Sequence, residues 1–378
     1  MRNIALLLLF MKILYDHQAF TGARFGGVAR YFYDLIVALQ NKGIDTKLSV
    51  RFSNNDYLLN SNQFHTYSFP YFLGYMPTNM LFSQVNRLWS SMQLMRGNYD
   101  IFHPTFFHSY FLKFVGNKPF VLTYHDVIKE KFGDAYGHLD NASKEQKQAL
   151  LDRSAHVIAV SENTKKDLVE VFNIHPDKIT VVHHATNFRT LAVPDAFKIQ
   201  APDKFLLYVG VRGSYKNFGF FLKATAPILK KYPEIRLVCA GGGDFSDEEK
   251  QLINSLGLTG QVVFFGINDQ ILYRLYQNAI AFVYPSLYEG FGIPILEAFA
   301  AGCPVVLSNT SCFPEVAQEA ALYFDPESEA SIQQQIERVI QDDTLRQSLR
   351  QKGYERQEAF SPEKVVNQTL DVYRRIVK

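Results

Sequence analysis

Glu289 and Glu297 stand eight residues apart in the stretch Tyr284 to Leu307, with Gly290, Phe291, Gly292, Ile293 and Pro294 between them. A carboxylate accepts hydrogen bonds at both oxygens, so it can hold a vicinal diol. The segment between the glutamates reads as a tight glycine loop opening a helix from about Pro294 to Ala301, and the free N–H groups at a helix start attract anions. Diols and phosphates recognised side by side describe a nucleotide sugar; phosphate alone would not call for two carboxylates. A second anion signal is Arg212 with Lys216, four residues on in a glycine-containing loop. Arginine offers a planar fork and lysine a compact charge, so the pair can converge on one diphosphate, with a solvated basic loop as the plainer alternative.

The elements that must carry these residues alternate. Short β-branched or aromatic runs predict six strands from Lys12–Tyr15 to Ile179–His183 and six more from Phe205–Val209 to Ala321–Phe324, with helical stretches between. Such alternation implies parallel sheets covered by helices on both faces. Pro194 to Pro202 breaks the pattern and reads as a linker, which sets domains at 1–195 and 203–360.

Glu289 through Glu297, with Gly290, Phe291, Gly292 and Pro294 in register, resembles the Glu-(seven residues)-Glu signature of the retaining glycosyltransferases of family 4. The resemblance spans nearly the whole chain, with its specific residues between 209 and 304. It implies an α/β protein of GT-B fold, two Rossmann-like doubly wound parallel-sheet domains facing each other across a cleft, with the last helix (about 361–378) returning to the first domain. It also implies a nucleotide diphosphate sugar as donor, no metal and no other cofactor, and a saccharide or lipid-linked saccharide as acceptor. The segment Arg212 to Asn217 looks like some bacterial mannosyltransferases, so mannose from a guanosine donor is expected, with glucose, galactose or an N-acetylhexosamine from a uridine donor as alternatives. Carried over residue by residue, the catalytic set is His125, Glu289, Arg212 and Lys216. The donor-binding set is Gly26, Gly27, Ile267, Gly290, Phe291, Gly292, Ile293 and Glu297, where Glu289 would hold sugar hydroxyls and Glu297 the ribose. An ordinary α/β crossover with surface glutamates is the competing reading of the motif.

Gly26 and Gly27 open a helix after the first strand, where paired glycines admit a ligand close to the backbone or simply make a tight turn. Arg24 and Arg30 flank them. His125 ends the run Phe120–His125 at a strand's carboxyl end, with Asp126 following; by the resemblance it meets the donor sugar, whereas His103, His108, His183 and His184 read as core histidines. Gly241-Gly-Gly-Asp244 reads as a flexible turn near the nucleotide. Leu81, Val85, Leu88, Trp89, Met92 and Met95 recur at near-helical spacing and predict a helix packed on the sheet by that face, with a membrane-surface or acceptor-binding helix as the alternative.

Composition excludes some classes. The 378 residues are 47% hydrophobic and 20% charged with a net charge of +2, an ordinary globular balance that argues against a dedicated nucleic-acid partner. No Asp-x-Asp metal motif stands out; Asp342-Asp343 and Asp247 fall at predicted helix starts. Cys239, Cys303 and Cys312 lack metal-ligand spacing, and their odd number suits a cytoplasmic protein, here one working on the inner face of a membrane through a peripheral contact. Residues 1–10 are apolar but too short to span a bilayer, and Met11 reads as a second candidate start. A dehydrogenase is disfavoured by the missing Gly-x-Gly-x-x-Gly. A sugar-nucleotide epimerase or a non-catalytic nucleotide-sugar binder remains as an alternative, and oligomeric state is open.

Overall fold

The computed structural model describes residues 11–22, 24–68, 75–133, 142–188, 191, 193, 194 and 196–377. The apolar start, residues 1–10, lies outside them. The chain divides into two compact units, Met1–His184 with Pro362–Lys378, and Ala185–Ser361.

The first unit contains β1 (Lys12–Tyr15), β2 (Asp45–Leu48), β3 (Ile101–His103), β4 (Val121–Tyr124), β5 (His156–Ala159) and β6 (Ile179–Val181). They form two parallel three-stranded sheets, β2-β1-β3 and β4-β5-β6. A bridge between Phe102 and Phe120 joins the sheets, the Phe102 N–H donating to the Pro119 carbonyl at 3.1 Å. Strand order therefore reverses between β1 and β3, and a crevice outside the carboxyl ends at such a reversal is where α/β sheets bind ligands. Helix α1 (Gly27–Asn41) carries the chain from β1 to β2. Its buried Ala29, Phe32, Leu35, Ile36 and Leu39 recur at helical spacing, while its amide start carries no side-chain cap.

Helix α2 (Tyr75–Arg96) is present, but it packs by the opposite face to the one its apolar spacing predicts. Asn86, Ser90, Ser91, Gln93 and Leu94 are buried, whereas Leu81, Leu88, Met92 and Met95 are exposed. The buried face is polar and mostly paired, with Gln93 Nε2 left without a partner. Asn86 Oδ1 accepts from the Arg51 and Phe52 N–H groups at 2.9 and 3.0 Å, and its amide donates to Thr21 and to the Phe52 carbonyl. Ser90 meets Ser49 Oγ at 2.8 Å and His17 Nδ1 at 3.0 Å. Buried polar groups cost little when they are paired, so the Asn86 and Ser90 network outweighs the apolar stripe in setting the rotation of the helix.

The chain's last helix, running from Pro362 to Ile376, packs into the first unit through Val365, Val366, Leu370, Val372 and Tyr373. The Tyr373 hydroxyl meets Tyr15 Oη at 2.7 Å and His103 Nδ1 at 2.6 Å, while His103 Nε2 meets Thr123 at 2.9 Å. His103 is thus a fully paired core histidine.

The second unit contains β7 (Phe205–Val209), β8 (Arg236–Ala240), β9 (Val262–Phe265), β10 (Ala281–Tyr284), β11 (Val305–Ser308) and β12 (Ala321–Phe324). All pair in parallel, in the order β12-β11-β10-β7-β8-β9, so the reversal falls between β7 and β10. The β7 and β10 residues are all buried, as expected of strands covered on both faces. This unit begins earlier than the linker composition suggests. Phe188 packs against Tyr273 and Tyr276 at 5.9 and 6.2 Å, and Arg274 donates to the Pro194 carbonyl at 2.6 Å. Among the described residues no helix is long and apolar enough to cross a membrane.

Candidate active site

The loops leaving β7 and β10 meet at the strand reversal of the second unit. Leu287 N–H donates to the Tyr215 carbonyl at 2.8 Å and ties the two loops together. Lys216 Nζ then lies 2.6 Å from Glu289 Oε1, which also accepts from Ser286 Oγ at 2.7 Å. Burial works against the Lys216 charge, but the Glu289 carboxylate and Tyr215 outweigh it and raise its pKa, so the ammonium is held charged. Tyr284, whose hydroxyl is 3.3 Å from the same Nζ, is pushed well above the usual phenol range by burial and by Glu289 and stays neutral.

The glycine loop ends at Gly292, whose φ of +87° is left-handed, and helix α3 (Ile293–Ala300) starts there with Pro294 in its first turn. An added Cβ at Gly292 would come within 3.1 Å of Ile295 and Phe313, so both conformation and space call for glycine. Phe291 is buried edge-on against Phe360 at 5.7 Å, which fixes the loop from below. Glu297 sits in the second turn of the helix, 9% exposed, and accepts from the Tyr276 hydroxyl at 3.3 Å. The structure thus brings Lys216, Glu289, Gly290, Phe291, Gly292, Ile293 and Glu297 to one sheet edge.

Arg212 does not join them. Its Nε donates to Glu249 Oε1 at 2.9 Å, and its two terminal nitrogens donate to the carbonyls of Gly241, Gly243 and Asp244 at 3.0, 2.8 and 2.9 Å. Phe245 covers the guanidinium at 4.9 Å. The expected convergence of Arg212 with Lys216 on one anion is therefore corrected: the guanidinium points into the adjacent turn because three carbonyls and a carboxylate satisfy its fork there. The same contacts brace Gly241-Gly-Gly-Asp244, which reads from sequence as a flexible turn. Removing the guanidinium leaves three carbonyls and the part-buried Glu249 without their donor, so Arg212→Ala should lower the stability of the second unit by about 1–3 kcal/mol, seen as a fall in melting temperature. A phosphate-clamp role would instead cost donor affinity at unchanged melting temperature.

Ile267 follows β9 and is 38% exposed, its Cδ1 3.1 Å from where a Cβ on Gly241 would lie. With Val211, 54% exposed, it leaves apolar surface beside backbone stripped of side chains, a platform a flat base can approach. Asp342 and Ser246 are helix N-caps, which accounts for the acidic residues around them.

In the first unit His125 follows β4 directly, ring-stacked on His184 at 5.4 Å. Its Nε2 is buried with no hydrogen-bond partner, and burial lowers its pKa to about 4, so the ring is neutral at neutral pH. At the α1 start, an added Cβ on Gly26 or Gly27 meets nothing within 4 Å, so the protein itself gives no steric reason for either glycine. Gly27→Ala should leave the melting temperature unchanged or slightly raised, since alanine favours a helix by up to about 1 kcal/mol. Lost turnover in that variant would report close approach by a ligand. Arg24 is paired with Asp56 at 3.0 Å, and Arg30 with Asp34 at 3.8 Å.

The reversal between β1 and β3 holds residues that sequence reasoning passed over. Asp16, just past β1 and fully buried, accepts from the Thr105 N–H and hydroxyl, both at 2.8 Å, and from Tyr110 at 3.0 Å. Beside it a cavity of about 390 Å³ is lined by His17, Thr21, Gln84, Arg87, Phe106 and His108 among others. The signal was available: Asp16 and His17 follow a strand end as His125 does.

Two family models match in succession, Glycosyltransferase Family 4 over residues 25–189 and Glycosyl transferases group 1 over residues 192–356. An uncharacterized glycosyltransferase of Methanocaldococcus jannaschii is 28% identical over 297 residues, covering 73% of this chain and 75% of that protein. The O-antigen chain mannosyltransferase B of Escherichia coli is 32% identical over 237 residues, 59% of this chain and 61% of its own length. Among solved structures, the sucrose-phosphate synthase of Thermosynechococcus elongatus superposes with a TM-score of 0.77 at 24% identity, covering 97% of this chain and 99% of that one. The chain belongs to the GT-B glycosyltransferases of the family-4 type.

Proposed function

We propose that the protein transfers a hexosyl unit, mannose by preference, from a nucleotide diphosphate sugar to a saccharide or lipid-linked saccharide in polysaccharide biosynthesis, with retention of anomeric configuration and without a metal. The observation that carries this is the Lys216–Glu289 pair, 2.6 Å apart at the β7/β10 reversal, beside the start of α3. As the bond between the anomeric carbon and the diphosphate breaks, negative charge gathers on the leaving group. A charged lysine and the N–H groups from Gly290 to Ile293 are fixed donors for that charge, the preorganised electrostatics that supplies much of enzymatic rate enhancement. Glu289 keeps Lys216 charged and offers its carboxylate to sugar hydroxyls, and Glu297 serves the ribose diol. Ile267 with Val211 backs the base. On the first unit His125 supplies a neutral contact to the sugar. The choice of mannose is supported by the similarity to the Escherichia coli mannosyltransferase.

The test offers guanosine diphosphate mannose and uridine diphosphate hexoses with lipid-linked saccharides in excess chelator. Nucleoside diphosphate release that needs the acceptor, with an axial product linkage by NMR from an axial donor, is the expected result. Interconversion of the donor without acceptor would make the protein an epimerase, and binding without release a non-catalytic binder.

A further inference from the structure

The turn that follows β11 reaches back to the loop that carries Glu289. The Glu289 N–H donates to Ser311 Oγ at 3.2 Å, and Cys312 Sγ donates to the Glu289 carbonyl at 3.2 Å. Phe313, next in the chain, packs on the Tyr284 ring at 5.0 Å and would stand 3.1 Å from a Cβ on Gly292. The backbone on either side of the Glu289 side chain is therefore held by two consecutive residues, while the carboxylate is held by Ser286 and Lys216. Burial and the nearby Glu289 carboxylate push the Cys312 thiol well up, so Sγ keeps the proton it donates.

The backbone of this turn is strained. Ser311 has a φ of +49°, a left-handed conformation unfavourable to any residue with a Cβ. Glycine would adopt it freely but would lack the oxygen that meets the Glu289 N–H. A hydroxyl standing where the backbone favours glycine is a mark of a geometry that the surroundings impose, and such strain gathers at functional sites. We propose that Ser311 and Cys312 are positioning residues for the sugar transfer, fixing the Glu289 backbone so that its carboxylate meets the sugar hydroxyls in one orientation. Both act through Glu289 rather than on the donor, and the proposal rests on the reading of Glu289 as the carboxylate that holds the sugar. A shift of about 1 Å at a reacting centre can slow a reaction about a hundredfold, so loosening this hold should fall on turnover more than on nucleotide binding.

The purified full chain and its variants Ser311→Gly, Cys312→Ala and Cys312→Ser test it. Turnover is measured with guanosine diphosphate mannose and uridine diphosphate hexoses, and affinity with the free nucleoside diphosphates. Ser311→Gly and Cys312→Ala should lower kcat about 10–100-fold while donor KM and nucleoside diphosphate affinity change little. Cys312→Ser keeps a donor to the Glu289 carbonyl and should recover most of the loss. In Ser311→Gly, relief of the left-handed residue opposes the added freedom of the unfolded chain, so the melting temperature should stay near the parent's while the rate falls. Hydrogen exchange at the Glu289 amide, read without ligand, should quicken in that variant. Variants that match the parent in kcat, that lose nucleoside diphosphate affinity and kcat together, or that leave the Glu289 amide as protected as before would overturn the proposal. So would Cys312→Ser behaving as Cys312→Ala does. A parent that turns over no nucleotide sugar would sink the donor reading and this role with it, whereas a working parent with unaffected variants sinks the positioning role alone.

Discussion

Replacing Lys216 by methionine is expected to lower kcat/KM for the donor by about 10²–10³-fold, the usual cost of removing one preorganised donor from a developing anion. Methionine keeps much of the side-chain volume, so the loss reports charge more than packing. Some stability is lost as well, because Glu289, 8% exposed, keeps Ser286 but loses its cation. Turnover must therefore be counted per folded molecule. Lys216→Arg should recover part of the rate, and Glu289→Gln should fall between the two, since it leaves the ammonium in place but less firmly held. Full turnover in the methionine variant would remove the pair from the chemistry.

Acid should unfold the first unit ahead of the second. Burial lowers the pKa of His17 to about 4, of His103 to about 3 and of His125 to about 4, and pushes His184 well down too. All four belong to the first unit. An unfolded imidazole takes a proton near pH 6.5 while these folded ones do not, so below that pH the unfolded state binds more protons and stability falls. Each group contributes about 1.4 kcal/mol per pH unit until its folded value is reached, so the loss runs from about pH 6.5 down to about pH 4 for His17 and His125 and about pH 3 for His103. The chain's one tryptophan, Trp89, sits in this unit and supplies the readout. Denaturant titrations followed by its emission should show stability dropping steeply between pH 7 and 5, with a shallower slope in His103→Gln. A slope unchanged by that substitution would mean His103 is not neutral and buried as described.

Much of this was legible in the sequence where a requirement is local. The strands announced themselves as short buried runs, and the glycine loop opening α3 was readable because its last residue, Gly292, takes a left-handed φ of +87° that favours glycine. The Glu289–Glu297 segment was readable for the same reason. What failed depended on distant partners. Spacing shows that α2 has an apolar face but not which neighbour the helix meets, and Ser49 and Thr21, from other parts of the chain, decided that its serines and Asn86 go inward. Arg212 looked like a partner for Lys216 because both are on one loop; Glu249, on a helix thirty-seven residues away in sequence, drew its guanidinium elsewhere. Asp16 was overlooked because its partners Thr105 and Tyr110 come from another strand's loop.

The account rests on a nucleotide diphosphate held at the β7/β10 reversal by Lys216 and the start of α3. The most direct measurement is the melting temperature of the protein with guanosine, uridine and adenosine diphosphates and their sugar conjugates in excess chelator. Ligand at about 100 times its dissociation constant should add roughly 2.7 kcal/mol, a clear upward shift. The predicted result is stabilisation by one nucleotide family, lost in Lys216→Met and retained in Leu88→Glu. No shift with any nucleotide would contradict the account, and a shift that appears only when a divalent cation replaces the chelator would contradict its metal-free part.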